Sequence, residues 1–227
     1  MFTKHSKNIT IFIFFSILLT LPSLNLFSLQ EKSDLHQKPD QNRMQIFGQQ
    51  KISVDDFRAE GYILDIGGGG EGIIGQLKGQ QVIAIDISKR ELEDAPPGPL
   101  KIVMDGRELK FVDNSFSTAT VFFTFMYINS KDHKQVFQEI HRVLDDGGRL
   151  LIWDVIFPVI EDDKKEMAVF PLKISLPEKE ITTGYGVNWP GEGQGLPHYL
   201  RLAEEVGYEV TYQKTQDMWF YLELKKN

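Results

Sequence analysis

The sequence predicts an α/β fold, a doubly wound and mostly parallel sheet with helices on both faces. Two observations predict it. From Gly61 onward, short apolar runs alternate with helical patterns, the order that parallel strands and crossover helices require. The runs are nearly continuous rather than alternating, as in strands buried on both faces. A third observation points to a site. Asp65, Asp86 and Asp105 stand at or beside the ends of three successive predicted strands, and such sheets bind ligands at the carboxyl ends of their strands.

Tyr62–Ile66 (YILDI) reads as the first strand, ended by four glycines, and 71–78 as the helix after it. The second strand is 81–85 (QVIAI), ended by Asp86, with Ser88 capping a short helix through Leu92. Pro96, Pro97, Gly98 and Pro99 break the chain before a third strand over 100–104. Residues 117–123 form a fourth. In 132–144, Val136, Phe137, Ile140, Val143 and Leu144 fall at helical spacing, and Gly147-Gly148 is expected to stop that helix. Residues 149–156 (RLLIWDVI) form a fifth strand and 197–206 a helix ended by Gly207. Residues 208–213 and 217–224 alternate in period two, which predicts an antiparallel pair.

Length and composition narrow the function. The 227 residues suit one domain with a tail. The absence of cysteine excludes a disulfide scaffold, a cysteine-ligated zinc site and a thiol nucleophile. The net charge is -7, and the first 30 residues carry only Lys4 and Lys7, so the remainder is more acidic still. Such a body is a poor partner for nucleic acid. The five histidines show no metal-ligand spacing.

Residues 1–30 read as a signal peptide or membrane anchor. A basic start precedes the apolar run Ile9–Leu21, followed by Pro22 and a polar exit. The run is short against the roughly 20 residues of a spanning helix, and extension to Leu29 adds several polar residues. Membrane association through 9–29 would place the body outside the cytoplasm, because the lysines precede the run. The alternative is translation from Met44, which leaves the protein cytoplasmic. Residues 31–50 read as a linker and 51–227 as the functional domain.

The loop reads Asp65-Ile66-Gly67-Gly68-Gly69-Gly70-Glu71-Gly72. Gly67, Gly69 and Gly72 give G-x-G-x-x-G between a strand and a helix, the context of a nucleotide-binding loop. Asp86 at the second strand end can accept two ribose hydroxyls. Asp105, before Gly106, can accept a proton from an exocyclic amine such as that of adenine. Asp65 chooses between cofactors. A carboxylate so near the loop would repel a pyrophosphate, whereas S-adenosylmethionine brings an ammonium and a sulfonium, and Glu71 adds to the same preference.

The segments ILDIGGGGEG (63–72), VIAIDIS (82–88), IVMDGREL (102–109), NSFSTATVFFTFMYI (114–128) and EIHRVLDDGGRLLIWDV (139–155) resemble, in order and spacing, the class I S-adenosylmethionine-dependent methyltransferases of the small-molecule type. The resemblance implies a Rossmann-like sheet of seven strands in the order 3-2-1-4-5-7-6, strand 7 antiparallel. It implies that Asp65 and Gly67 hold the methionine end of the cofactor, Asp86 the ribose hydroxyls, and Asp105 and Gly106 the adenine, with Gly69 and Ile87 also in the cofactor site. Phe123 and Thr124 would line the methyl group. The sequence departs from the family where Glu71 replaces a glycine.

Two residues are candidate catalytic bases: Tyr127, after the fourth strand, and Asp154, at the end of the fifth. Residues 157–196, with Phe170, Tyr185, Trp189 and several glycines, are a possible lid over a small-molecule acceptor. Two other readings compete. One is a nicotinamide-dependent oxidoreductase with the same glycine loop; the other is a non-catalytic module that only binds S-adenosylmethionine. The acceptor, its reacting atom and the oligomeric state are not written in the sequence.

Overall fold

The computed structural model describes residues 43–158, 165–190 and 194–227. The chain divides into two compact units. The larger takes the described residues of Val54–Ile160, Leu176–Glu178 and Pro190–Asn227; the smaller takes those of Met1–Ser53, Glu161–Ser175 and Lys179–Trp189. The expected signal or anchor over 1–30, and 31–42 of the expected linker, lie outside the described residues. Among the described residues, no helix is long and apolar enough to cross a membrane.

In the larger unit β3 (Ile63–Ile66) and α1 (Ile73–Lys78) precede β4 (Val82–Asp86), α2 (Lys89–Asp94) and β5 (Leu100–Val103). Then come β6 (Phe116–Phe122), α3 (Ser130–Val143) and β7 (Leu144–Val155), and, after the second sheet's strands, α4 (Leu196–Val206), β10 (Tyr208–Gln216) and β11 (Trp219–Lys226). The sheet order is β10-β11-β7-β6-β3-β4-β5. Numbered within this sheet it is 3-2-1-4-5-7-6, the order the resemblance implies. The β5-β4-β3-β6-β7 pairs are parallel, and β11 is antiparallel to both neighbours.

All four residues of β3 are buried. Leu64 and Ile66 join a core with Val121, Ile152 and Leu222 of the sheet, Val136, Phe137 and Ile140 of α3, and Tyr199 and Leu202 of α4. Ile63 and Asp65 alternate with them and face the other way, so a carboxylate sits in the buried middle of the sheet. The Asn129 side chain caps α3 by accepting from the Lys131 N–H at 3.2 Å. Asp132 in its first turn and Arg142 in its last complement its dipole.

The helix ends at Val143, four residues before the expected glycine stop. Leu144 is already extended and pairs with Phe116; the ladder then shifts and resumes at Thr118 and Arg149. Asp145–Gly148 is thus an irregularity within β7, and Gly147, at φ +77°, takes the left-handed turn it needs.

The smaller unit holds β1 (Met44–Ile46) and β2 (Gln50–Ser53), both parallel to β8 (Met167–Leu176), which also pairs with β9 (Lys179–Asn188). Ala168, Phe170, Leu172 and Ile174 alternate as its buried face, and Phe47 stacks on Phe170 at 4.8 Å. Residues 44–46 and 50, expected in a linker, are therefore paired strand. Within 157–196, read from sequence as an insertion and possible lid, Met167–Leu176 and Lys179–Asn188 are strands. Pro171 in β8 and the glycines in β9 masked the strand patterns of the pair in the sequence.

Candidate functional site

The site lies at the carboxyl ends of β3, β4, β5, β6 and β7. Beside β3 the strand order reverses, with β4 on one side and β6 on the other, which opens a crevice for a ligand. The glycine loop is pinned there by backbone. The N–H groups of Gly67 and Gly68 both donate to the Ile85 carbonyl, at 2.8 and 3.0 Å, and that of Gly70 donates to Glu91 O at 2.9 Å. Gly67 sits at φ +73°, and a Cβ there would fall 2.3 Å from Thr124 Oγ1. At Gly69 a Cβ would fall 2.5 Å from Glu91 Cβ and 2.8 Å from Asp86 Oδ2. The loop therefore lies against two carboxylate-bearing elements with no room for side chains.

Asp65 is 2% exposed. It accepts from the Thr120 hydroxyl at 2.7 Å, and its Oδ2 lies beneath Gly68, 2.6 Å from where a Cβ would stand. Burial, aided by the charge of Asp86 and opposed by the Thr120 hydrogen bond, pushes its carboxyl up to about 7. Asp65 thus lies under the loop rather than at its surface. Asp86 ends β4 and accepts from the Ser88 N–H at 2.8 Å. Burial raises its carboxyl too, opposed by the N–H groups of Ser88, Gly69 and Ile87. Ile87 beside it is 59% exposed, an apolar side chain at the rim.

Gly106 follows Asp105 close to Ile66; a Cβ there would be 3.2 Å from Ile66 Cγ2. The Asp105 carboxylate is engaged by Arg107, whose guanidinium holds its carboxyl below the ordinary range. Phe123 follows β6 at φ +50°, a left-handed backbone that costs a bulky residue about 1–2 kcal/mol, and its N–H donates to Trp153 O at 2.7 Å. Thr124 Oγ1 lies 3.1 Å from both Ile66 O and Phe122 O, which ties β6 to β3 where the loop begins.

The two candidate bases differ. Tyr127 ends a 3-10 turn (Phe125–Tyr127), and burial together with the charges of Glu71, Asp154 and Glu91 drives its hydroxyl well above the ordinary range. Asp154 is fully buried. It accepts from the Val155 N–H at 2.8 Å; burial raises its carboxyl to about 7, opposed by the N–H groups of Val155, Phe125, Met126 and Thr124. Its Oδ2 is buried with no partner in hydrogen-bonding geometry among the described residues.

Three residues escaped the sequence reading. Thr120 is the register partner of Asp65 on β6. Arg107 holds Asp105. Glu91, 7% exposed on α2, is pushed up to about 7 by burial and by the charges of Asp86, Asp94 and Glu71. Its signal was the Ser88-x-x-Glu91 spacing. Ser88 does cap α2, accepting from the Glu91 N–H at 3.3 Å, but Asp86 takes the Ser88 N–H and leaves the Glu91 side chain to the site.

Carboxylates gathered around a tight loop repel phosphate and attract a cation. The residues therefore fit S-adenosylmethionine, with its ammonium and sulfonium, better than a dinucleotide. Residues 64–152 match the family model described as a methyltransferase domain. No curated protein matches the sequence. Solved structures resemble the fold. The PH0226 protein from Pyrococcus horikoshii is 18% identical, with a TM-score of 0.54 over 74% of this chain and 82% of its own. An S-adenosylmethionine-dependent methyltransferase from Methanosarcina mazei is 19% identical, with a TM-score of 0.53 over 75% of this chain and 94% of its own. Phosphoethanolamine N-methyltransferase 2 of Haemonchus contortus, solved with S-adenosyl-L-methionine, is 15% identical, with a TM-score of 0.54 over 75% of this chain and 50% of its own. The match of residues 64–152 to a methyltransferase domain, with the fold shared with solved S-adenosylmethionine-dependent methyltransferases, favours an enzyme whose cofactor is S-adenosylmethionine over the nicotinamide and non-catalytic alternatives.

Proposed function

We propose that this enzyme methylates a small molecule, with Asp86, Ile87 and the glycine loop holding the cofactor and Tyr127 orienting the acceptor. The observation that carries the proposal is the placement of Tyr127. It follows the strained end of β6, within electrostatic reach of Glu71 and Glu91, where the loop and the acceptor would meet. Bound S-adenosylmethionine supplies an activated methyl group on a cationic sulfur.

The protein's part is then mainly proximity and orientation. Asp65, beneath the loop, and Glu91, beside it, keep the site negative. Tyr127 retains its proton at neutral pH, so it donates a hydrogen bond rather than acting as a base. An acceptor that enters as a neutral amine needs no base at all, and the Haemonchus neighbour is named for an N-methyl transfer, which supports testing amines first. Residues 51–227 would act as the catalytic domain.

The test is transfer of labelled methyl from S-adenosylmethionine to pools of small amines, phenols and carboxylic acids, with protein and RNA as further pools. Label is expected in a small-molecule pool. Tyr127→Phe is expected to lower kcat/KM about tenfold, the worth of one hydrogen bond to the acceptor, without changing cofactor affinity. Label confined to protein or RNA would overturn the proposal.

A further inference from the structure

His133, in the first turn of α3, is fully buried. Its Nε2 lies 2.9 Å from Ile128 O and 3.1 Å from Phe125 O, carbonyls on either side of Met126 and Tyr127. A nitrogen facing two acceptors must carry the hydrogen. Nδ1 is then a buried acceptor, and His198 Nε2, in the first turn of α4, stands 2.9 Å from it. His198 is therefore the donor that completes the tautomer. Phe125 and Tyr199 pack on the His133 ring at centroid distances of 5.2 and 5.6 Å, so the ring has no other orientation to take. One imidazole pair thus joins the starts of α3 and α4 to the turn Phe125–Tyr127.

We propose that His198 is a positioning residue for methyl transfer: it satisfies His133 Nδ1, His133 holds the carbonyls of Phe125 and Ile128, and the turn between them holds Tyr127 toward the acceptor. The inference rests on the proposed role of Tyr127. The link tolerates one proton, because a charge taken up at His198 Nδ1 leaves its Nε2–H donating. A second proton, on His133 Nδ1, would set two N–H groups face to face and break it. Asp132 on α3 favours charge on His133, and Arg201 on α4 opposes charge on His198. Tyr127 on the turn and Tyr199 on α4 keep their protons and add no charge. The link therefore holds across the neutral range.

The experiment compares His198→Leu, which keeps bulk and loses the donor, with His198→Gln, whose amide N–H stands where the ring N–H stood. Hydrogen exchange is measured by NMR on the full chain at the Tyr127 and Ile128 amides, which donate to Thr124 O and Phe125 O at 3.0 Å. Exchange about tenfold faster in His198→Leu and close to wild type in His198→Gln is expected, the worth of one buried hydrogen bond. The second readout is methyl transfer to the small-molecule pool that wild type labels. His198→Leu is expected to lower kcat about three- to tenfold with the KM for S-adenosylmethionine unchanged, and to change kcat less than about twofold in a Tyr127→Phe background. Unchanged exchange in His198→Leu, equal effects of the two substitutions, or a kcat loss that persists in full in Tyr127→Phe would overturn the inference and leave the proposed function standing. Absence of label in every small-molecule pool would overturn the proposed function, and the exchange rates alone then decide whether His198 holds the turn. Thermal melts confirm that each variant is folded at the assay temperature.

Discussion

The Thr120 hydroxyl donates to Asp65 at 2.7 Å, and the two residues face each other as register partners on adjacent parallel strands. Both are buried. One hydroxyl is little compensation for a carboxylate removed from water, so burial holds Asp65 up to about 7. A carboxyl raised on folding favours the fold while protonated. Its stabilising proton is present below about pH 4 and is lost as pH rises through 7. Asp65→Asn should therefore stabilise the ligand-free protein at pH 8, by on the order of 2 kcal/mol, and make little difference at pH 4. Thermal melts at the two pH values check this; a difference that does not change with pH would contradict it.

The same carboxyl makes cofactor affinity depend on pH. A cationic ligand prefers Asp65 ionised, so binding near pH 6.5 should release a proton. Affinity for S-adenosylmethionine should rise up to about tenfold from pH 6 to pH 8. Calorimetry in two buffers of different ionisation enthalpy measures the release, and Asp65→Asn should abolish it.

His133 carries the opposite sign. It is fully buried, and its Nε2 lies 2.9 Å from Ile128 O and 3.1 Å from Phe125 O. Nε2 therefore bears the hydrogen, and Nδ1 accepts from His198 Nε2 at 2.9 Å. Burial lowers its ring to about 4. A histidine lowered on folding contributes stability above about pH 6.5 that is lost as pH falls toward 4. Denaturant melts should show wild type losing up to about 3 kcal/mol more than His133→Gln over that window. Equal losses would contradict the assignment.

Gly69→Ala tests the tight loop. The new methyl meets Glu91 Cβ and Asp86 Oδ2 inside contact distance. The loop must shift, and cofactor affinity should fall at least tenfold, at a stability cost of about 1–3 kcal/mol. Gly48→Ala, where a Cβ meets nothing within 4 Å, is the control and should leave binding unchanged.

The paired strands before the domain make a further prediction. A chain starting at Met44 keeps the ladders Met44↔Met167 and Ile52↔Ile174; one starting at Val54 loses both. Limited proteolysis should find 167–188 resistant in the first and newly cleaved in the second. Equal resistance would show that the ladders contribute nothing.

The sequence carried the large sheet because its signals are local. Four-residue apolar runs, proline and glycine breaks and the helical spacing of Val136, Phe137 and Ile140 each lie within one element. The same locality made Asp65, Asp86 and Asp105 visible at strand ends. What escaped depends on pairing across the chain. Thr120 meets Asp65 only through the β3–β6 register, and β1 and Gln50 looked like linker because their partner, β8, lies more than a hundred residues away. Tyr127 and Asp154 looked alike in sequence; in the structure Asp154 is fully buried and Tyr127 partly exposed. The Asp105–Arg107 pair, two residues apart, was legible as spacing but not as a clamp.

Titration of the full chain with S-adenosylmethionine and with NADH, repeated on Asp86→Ala, tests the cation-selective site most directly. Saturable binding of S-adenosylmethionine, none of NADH, and at least a tenfold loss in Asp86→Ala are expected. Tight NADH binding, or S-adenosylmethionine binding that ignores Asp86, would contradict it.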